Sequence, residues 1–388
     1  MGASPTRPEL MMTDSEPTGS TRTKLQTIPR SITCVADYEQ LAQAFVDHPI
    51  FEYLQGGSGN EQSLKDNLCV FREFQLYNRV LVDVSRGSTH TQVLNQRLRH
   101  PILLAPVAYQ KLVHPEGELD SARAAEALEA GMVTSTLSSF PVEAIAANHE
   151  GVRWFQLYFQ AQREHTLDLL RRAETCGYSA IMVTLDATVQ ASNRRAQRAG
   201  FAFPEGVVAA NLQSFSRPTP VTLSSDQSVI FQGAMSEAPT WEDLQWLLEQ
   251  TDLPVLVKGV MHPADAERLL QLGVQGLVAS NHGGRALDGM PAPARVLPSL
   301  RNALGDDVPI LLDGGIRSGY DVFKALALGA DAVMIGRPVL YGLAVAGALG
   351  VAHVLRVLRD ELEMCMALAG TPRTADIGPH CLFATGEK

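Results

Sequence analysis

From residue 101 onward the sequence alternates eight times between a short apolar run and a longer stretch of helical periodicity. That rhythm restricts the fold more than any other feature. The apolar runs cover residues 101–107, 132–135, 154–158, 180–185, 254–258, 276–280, 309–313 and 332–335. Each is too short for a helix, and most are apolar throughout, as strands covered on both faces are. Helices are predicted over 118–130, 166–176, 241–250, 263–272 and 320–328. Several end in a glycine stop: Gly131, Gly177, Gly273 and Gly329. Eight βα units in about 250 residues are what a closed (β/α)8 TIM barrel of the α/β class requires. A doubly wound sheet would need a break that the regular spacing does not show.

Two segments fall outside the rhythm. Residues 31–100 form an N-terminal helical capping segment, with a helix predicted over 38–46 and a polar stretch around Gly56, Gly57 and Gly59. Residues 192–239, rich in Ser, Thr, Pro and Gln, interrupt the 101–383 barrel after strand four as an active-site lid, partly disordered without ligand. Residues 1–30 read as a flexible tail without the apolar stretch of a signal peptide. The 45% hydrophobic content supports a large core, and the net charge of −10 excludes nucleic acid as a bulk partner. The five cysteines are widely spaced with no metal-type pair, so no metal site is expected and free thiols are the default. No run of eighteen apolar residues is present, and the expectation is a cytoplasmic protein without a membrane partner.

In a barrel of this kind, chemistry sits at the C-terminal ends of the strands. Polar groups gather there: Gln156 and Tyr158 after strand three, Thr184 and Asp186 after four, and Lys258 after five. Strand six is followed by Ser280, His282 and Arg285, strand seven by Asp313, Gly315 and Arg317, and strand eight by Gly336 and Arg337. His282 supplies an imidazole base, and Arg285 a two-pronged clamp for a carboxylate or phosphate. Glycines and arginines after strands seven and eight point to a phosphate site. Lys258 suits either a Schiff base or a sink for developing negative charge.

Five motifs carry a family resemblance over residues 35–383: Ala105-Pro106-Val107-Ala108, His114-Pro115-Glu116-Gly117, Ser280-Asn281-His282-Gly283-Gly284-Arg285, Leu312-Asp313-Gly314-Gly315-Ile316-Arg317-Ser318-Gly319 and Ile335-Gly336-Arg337-Pro338. Together they resemble the FMN-dependent 2-hydroxy acid oxidases and dehydrogenases that act on glycolate, lactate and mandelate. Tyr109-Gln110 with Leu137-Ser138-Ser139-Phe140 is most similar to the mandelate-oxidising members, including 4-hydroxymandelate oxidases. The resemblance implies FMN as cofactor, with Lys258 at the N1 and O2 edge and the backbone of Val107 and Ala108 at the N5 side. It places Ser138, Gln156, Thr184 and Ser280 on the ring or ribityl chain, and Asp313, Gly315, Arg317, Gly336 and Arg337 at the ribityl and phosphate end. His282 is the implied base, Asp186 its partner, Arg285 the carboxylate clamp and Tyr158 a hydroxyl facing the substrate.

Two departures from the family pattern bear on substrate. Phe51 aligns with an active-site tyrosine, and Asn193 with a second arginine. Phe51, Tyr109, Phe140 and Phe159, with Asn193 and Arg194, are therefore expected to line a substrate pocket suited to a bulky or aromatic group. The implied reaction is oxidation of an (S)-2-hydroxy acid to the 2-oxo acid, with oxygen or a soluble carrier as acceptor, in a homo-tetramer. The alternative is oxidative decarboxylation or dehydrogenation of a specialised biosynthetic intermediate.

Overall fold

The computed structural model describes residues 22–216 and 223–383. Eight parallel strands close into a barrel: β1 Ile102–Leu104, β2 Met132–Ser135, β3 Arg153–Leu157, β4 Ala180–Thr184, β5 Val255–Lys258, β6 Gly276–Ser280, β7 Ile310–Asp313 and β8 Ala332–Ile335. Sequential neighbours pair throughout, and β8 closes on β1 with Val333 opposite Ile102. The barrel is the (β/α)8 fold that the rhythm predicts. β1 is shorter than expected, so Val107 and Ala108 lie in the loop beyond it.

Side chains alternate across a strand, so every second residue faces the barrel axis. Val133, Trp154, Met182, Leu256, Val278 and Leu311 belong to one buried apolar cluster that fills the barrel interior. Two residues further along each of these strands stand Ser135, Gln156, Thr184, Lys258, Ser280 and Asp313, all buried. One phase of alternation thus changes from an apolar plug to a polar floor at the C-terminal end. The opposite end is closed by an antiparallel hairpin, Thr91–Val93 with Gln96–Leu98. Gln96 there accepts a hydrogen bond from the Trp154 indole at 3.0 Å.

The N-terminal segment covers the catalytic end. Its helices run over Val35–Ala42, His48–Gln55 and Gln62–Cys69, so the polar stretch contains two short helices that the sequence pattern does not reveal. Asn67 and the loop after β6 are joined by reciprocal amide bonds, Asn67 to Asn281 at 2.7 Å and Asn281 to Asn67 at 2.8 Å. Gly315, at φ +88°, leaves room for the Asn67 carbonyl, which a Cβ would strike. Residues 22–30 are not a free tail: Lys24 donates to the carbonyls of Phe45 and Val113, and the Leu25 amide donates to Val345. The rest of the expected tail, 1–21, lies outside the described residues, as does 217–222 of the lid.

The helix Arg337–Ala369 is long and apolar enough to span a membrane, but most of its apolar window is buried. It packs on Gly117–Ala127, Val35–Ala42 and Gly319–Ala327, and breaks at Ala346 and Gly347.

Candidate active site

His282 follows β6 in a left-handed conformation (φ 58°), continued by Gly283 and Gly284. Gly284 is required because the Leu64 backbone approaches to 2.6 Å of where a Cβ would stand. The turn carries the imidazole toward the end of β4, where Nδ1 lies 2.8 Å from Asp186 Oδ1. Asp186 is buried; burial by itself raises its pKa, but the Lys258 ammonium and the His282 partner more than offset this and hold it below the usual carboxylate range. An ionised Asp186 accepts Nδ1–H, which leaves Nε2 as the basic nitrogen facing the cavity.

Lys258 is held by the polar floor. Its ammonium lies 3.0 Å from Ser280 Oγ, 3.0 Å from Asp313 Oδ2 and 3.9 Å from Asp186 Oδ2. Burial opposes its charge, yet the Asp313 and Asp186 carboxylates raise its pKa above the ordinary value. A locked, protonated lysine is an electrostatic group and not an amine nucleophile. The Schiff-base reading of Lys258 is therefore set aside. Tyr158, just past β3, has its phenol pushed up to about 12 by burial, so it remains a hydrogen-bond donor at neutral pH.

Two further cations face the same space. Arg285 donates to the carbonyls of Tyr53 (2.8 Å) and Gly56 (3.1 Å), and its guanidinium lies 4.9 Å from the centre of the Tyr53 ring. Arg337 donates to Leu54, Gly283 and Gly56 carbonyls at 2.8–3.1 Å. Burial, reinforced by nearby Arg285, lowers the Arg337 pKa to about 10. Neither arginine has a carboxylate partner among the described residues, whereas Arg317 is paired with Glu39 at 3.3 Å. The cavity measures about 610 Å³ and is lined by Lys258, His282, Arg285, Arg317 and Arg337 against two carboxylates, Asp313 and Glu237. Such a balance of charge calls for an anion.

The chain matches the model of the FMN-dependent dehydrogenase family over residues 42–384. It is 53% identical over 350 residues to an L-lactate oxidase of Alicycliphilus denitrificans, covering 90% of this chain and 96% of the relative. It is also 39% identical over 348 residues to human 2-hydroxyacid oxidase 1, covering 88% and 94%. Among solved structures, a mandelate oxidase with (S)-2-phenylpropionate superposes with a TM-score of 0.81 at 40% identity, covering 88% of this chain and 96% of that one. The chain belongs to the FMN-dependent dehydrogenase family.

It is accordingly an FMN-dependent oxidoreductase of the 2-hydroxy acid oxidase group. The site fits that cofactor on its own evidence. Gln156 Nε2 and Thr184 Oγ1 are buried without a hydrogen-bond partner, a cost of about 1–3 kcal/mol each unless a ligand supplies one. They stand on the polar floor beside Lys258. Arg337 stands at the N-terminal end of its helix, which has no side-chain cap, so the positive end of that helix adds to the anion site. Val107, Ala108, Gly315 and Gly336 line the same cavity.

Several expected site residues lie elsewhere. Phe51 belongs to the core and faces Tyr341, with ring centres 6.5 Å apart, and does not line the cavity. On that helix the ring that does is the phenol of Tyr53, two residues on. Phe140 packs under the Lys111 ammonium, 3.8 Å from its ring centre, also away from the cavity. Arg194 is exposed and donates to Asn60 Oδ1, so it is not a second clamp. Ser138 is tied to the Phe140 carbonyl and to Asn211, behind the wall; Ser135, in phase with Val133 on β2, is the serine that lines the site. Asn193 does line it, but its amide is spent on the Ala196 N–H and the Tyr53 carbonyl. Tyr109 and Phe159 are at the wall as expected, joined by Phe203 from the insertion.

Proposed function

We propose that the protein oxidises an (S)-2-hydroxy monocarboxylic acid with an apolar side chain to the 2-oxo acid, with oxygen as the electron acceptor. The observation that carries this reading is the convergence of His282, held by Asp186 at 2.8 Å, with Arg285 and Tyr158 around one cavity above Lys258. Bound FMN would supply the two-electron redox chemistry that links the carbinol to the acceptor. Arg285 retains unused N–H groups for the substrate carboxylate, and the Tyr53 ring beneath it completes that side. Tyr158 donates a hydrogen bond to the substrate's oxygen. His282 Nε2 takes one of the two protons lost as the C2–O single bond becomes a carbonyl, the other leaves with the electron pair, and Asp186 stabilises the imidazolium so formed.

Side-chain size is read from the wall opposite. Tyr109 and Phe203 meet edge to face with centres 4.8 Å apart, and Phe203 also contacts Tyr53 at 5.9 Å and Phe201 at 5.2 Å. Closed rings favour a short apolar side chain, in keeping with the L-lactate oxidase relative. A second reading, an aromatic acid, is supported by the mandelate oxidase neighbours and requires Phe203, half exposed, to swing outward. Decarboxylation loses much of its motive once Phe51 is removed from the site. The exposed apolar strip of Val80, Leu81, Val82 and Leu368 supports association into the tetramer that the resemblance implies.

Product analysis under air tests the reaction. One 2-oxo acid and one hydrogen peroxide are expected per hydroxy acid consumed. Carbon dioxide with an acid one carbon shorter, in a reaction kept free of accumulated peroxide, would support the decarboxylating reading instead.

A further inference from the structure

Glu118 is the least explained charge near the site. It stands in the first turn of the helix Gly117–Ala127, and only 1% of it is exposed. It has no ion-pair partner within the described residues; the nearby Lys111 directs its ammonium onto the Phe140 ring. A single oxygen, Oε1, accepts two backbone N–H groups from different loops: Gln110 at 3.0 Å and Ser139 at 2.9 Å. The other oxygen, Oε2, is buried with no partner. Burial holds its pKa above the usual carboxylate value. An apolar residue of similar volume would avoid this desolvation.

The two loops it joins are the ones after β1 and β2, which supply Val107, Ala108, Tyr109 and Leu137 to the cavity. Between them Tyr109 adopts a left-handed conformation (φ 54°), unusual for an aromatic residue. Its own N–H donates to the Leu137 carbonyl at 3.1 Å, and the next N–H, that of Gln110, donates to Glu118. Ser121 fixes the Gln110 side chain at 2.6 Å, and that side chain reaches back to the Val107 carbonyl. Two successive amides are thus bracketed on either side of the strained residue. The orientation of the Tyr109 ring against Phe203 follows from that bracket.

We infer that Glu118 is a positioning residue for substrate: its bridging oxygen holds Tyr109 in the left-handed conformation that turns its ring into the wall of the substrate pocket. The inference rests on the oxidase reading above. It predicts that the number of loop amides accepted, and not the charge, decides substrate affinity. Glu118→Gln keeps an oxygen at the bridging position and retains KM close to that of the wild type. Glu118→Asp, one methylene short, cannot reach both amides. It raises KM for the best 2-hydroxy acid by about tenfold, the scale of one lost hydrogen bond, with FMN content preserved and kcat much less affected.

The test is steady-state kinetics of FMN-loaded wild type, Glu118→Gln, Glu118→Asp, Tyr109→Ala and the Glu118→Asp/Tyr109→Ala double variant. Because Glu118 acts through Tyr109, its effect on KM should vanish when the Tyr109 ring is absent. Additive effects in the double variant overturn the inference, as does wild-type KM in Glu118→Asp. A parallel loss of thermal stability and FMN in both Glu118 variants, with normal KM in the loaded fraction, also overturns it by assigning a purely structural role. If the wild type turns over no hydroxy acid, the oxidase reading itself fails, an outcome distinct from these.

Discussion

A phenyl ring and a phenol two positions apart, Phe51 and Tyr53, show how a residue's role follows from its place on a helix. On His48–Gln55, Ile50, Phe51 and Leu54 are buried together, while Tyr53 stands about 200° from Phe51 and reaches the cavity. The spacing of Ile50 and Leu54 was the available signal that this face belongs to the core; alignment of aromatic types alone points to the wrong ring. By contrast, His282, Asp186, Lys258 and Arg285 were legible because each leaves a strand end, where the fold dictates direction. His282→Ala is expected to keep FMN but slow flavin reduction by about 10²–10⁴-fold, the usual contribution of a general acid–base group. Anaerobic stopped-flow absorbance measures it; a rate within tenfold of wild type would remove His282 as the base.

At the scale of elements, the barrel strands were readable from runs of apolar residues, and the polar floor from the residue two places further along six of them. Ser135 could have been chosen over Ser138 by that same period of two. The short helices His48–Gln55 and Gln62–Cys69 were not legible, since eight residues with polar faces carry little periodic signal and are held by tertiary contacts. The amide pair of Asn67 with Asn281 is such a contact, and Gly315 admits it. Gly315→Ala should therefore destabilise the protein by more than about 1 kcal/mol, because Ala is strained at φ +88° and meets the Asn67 carbonyl. Thermal unfolding with and without added FMN checks this, with a lower midpoint and weaker FMN binding expected. An unchanged midpoint would mean that the Gln62–Cys69 helix shifts away at no cost.

For the whole molecule, closure of eight strands brings groups from residues 53 to 337 to one end of the barrel, under a cover supplied by the N-terminal helices and the insertion after β4. The fold and the family could be read from the spacing and motifs of the chain. The composition of the substrate wall could not, because Tyr53, Tyr109 and Phe203 meet only through contacts between segments distant in sequence. We propose that this assembly oxidises a 2-hydroxy acid at a bound flavin. The most direct test is an anaerobic titration of the FMN-loaded protein with glycolate, (S)-lactate, (S)-mandelate and (S)-phenyllactate, followed by the flavin absorbance. Full, saturable bleaching by at least one of these acids is expected, with return of the band on admission of oxygen; a flavin band unchanged by the entire panel would contradict oxidation at this site.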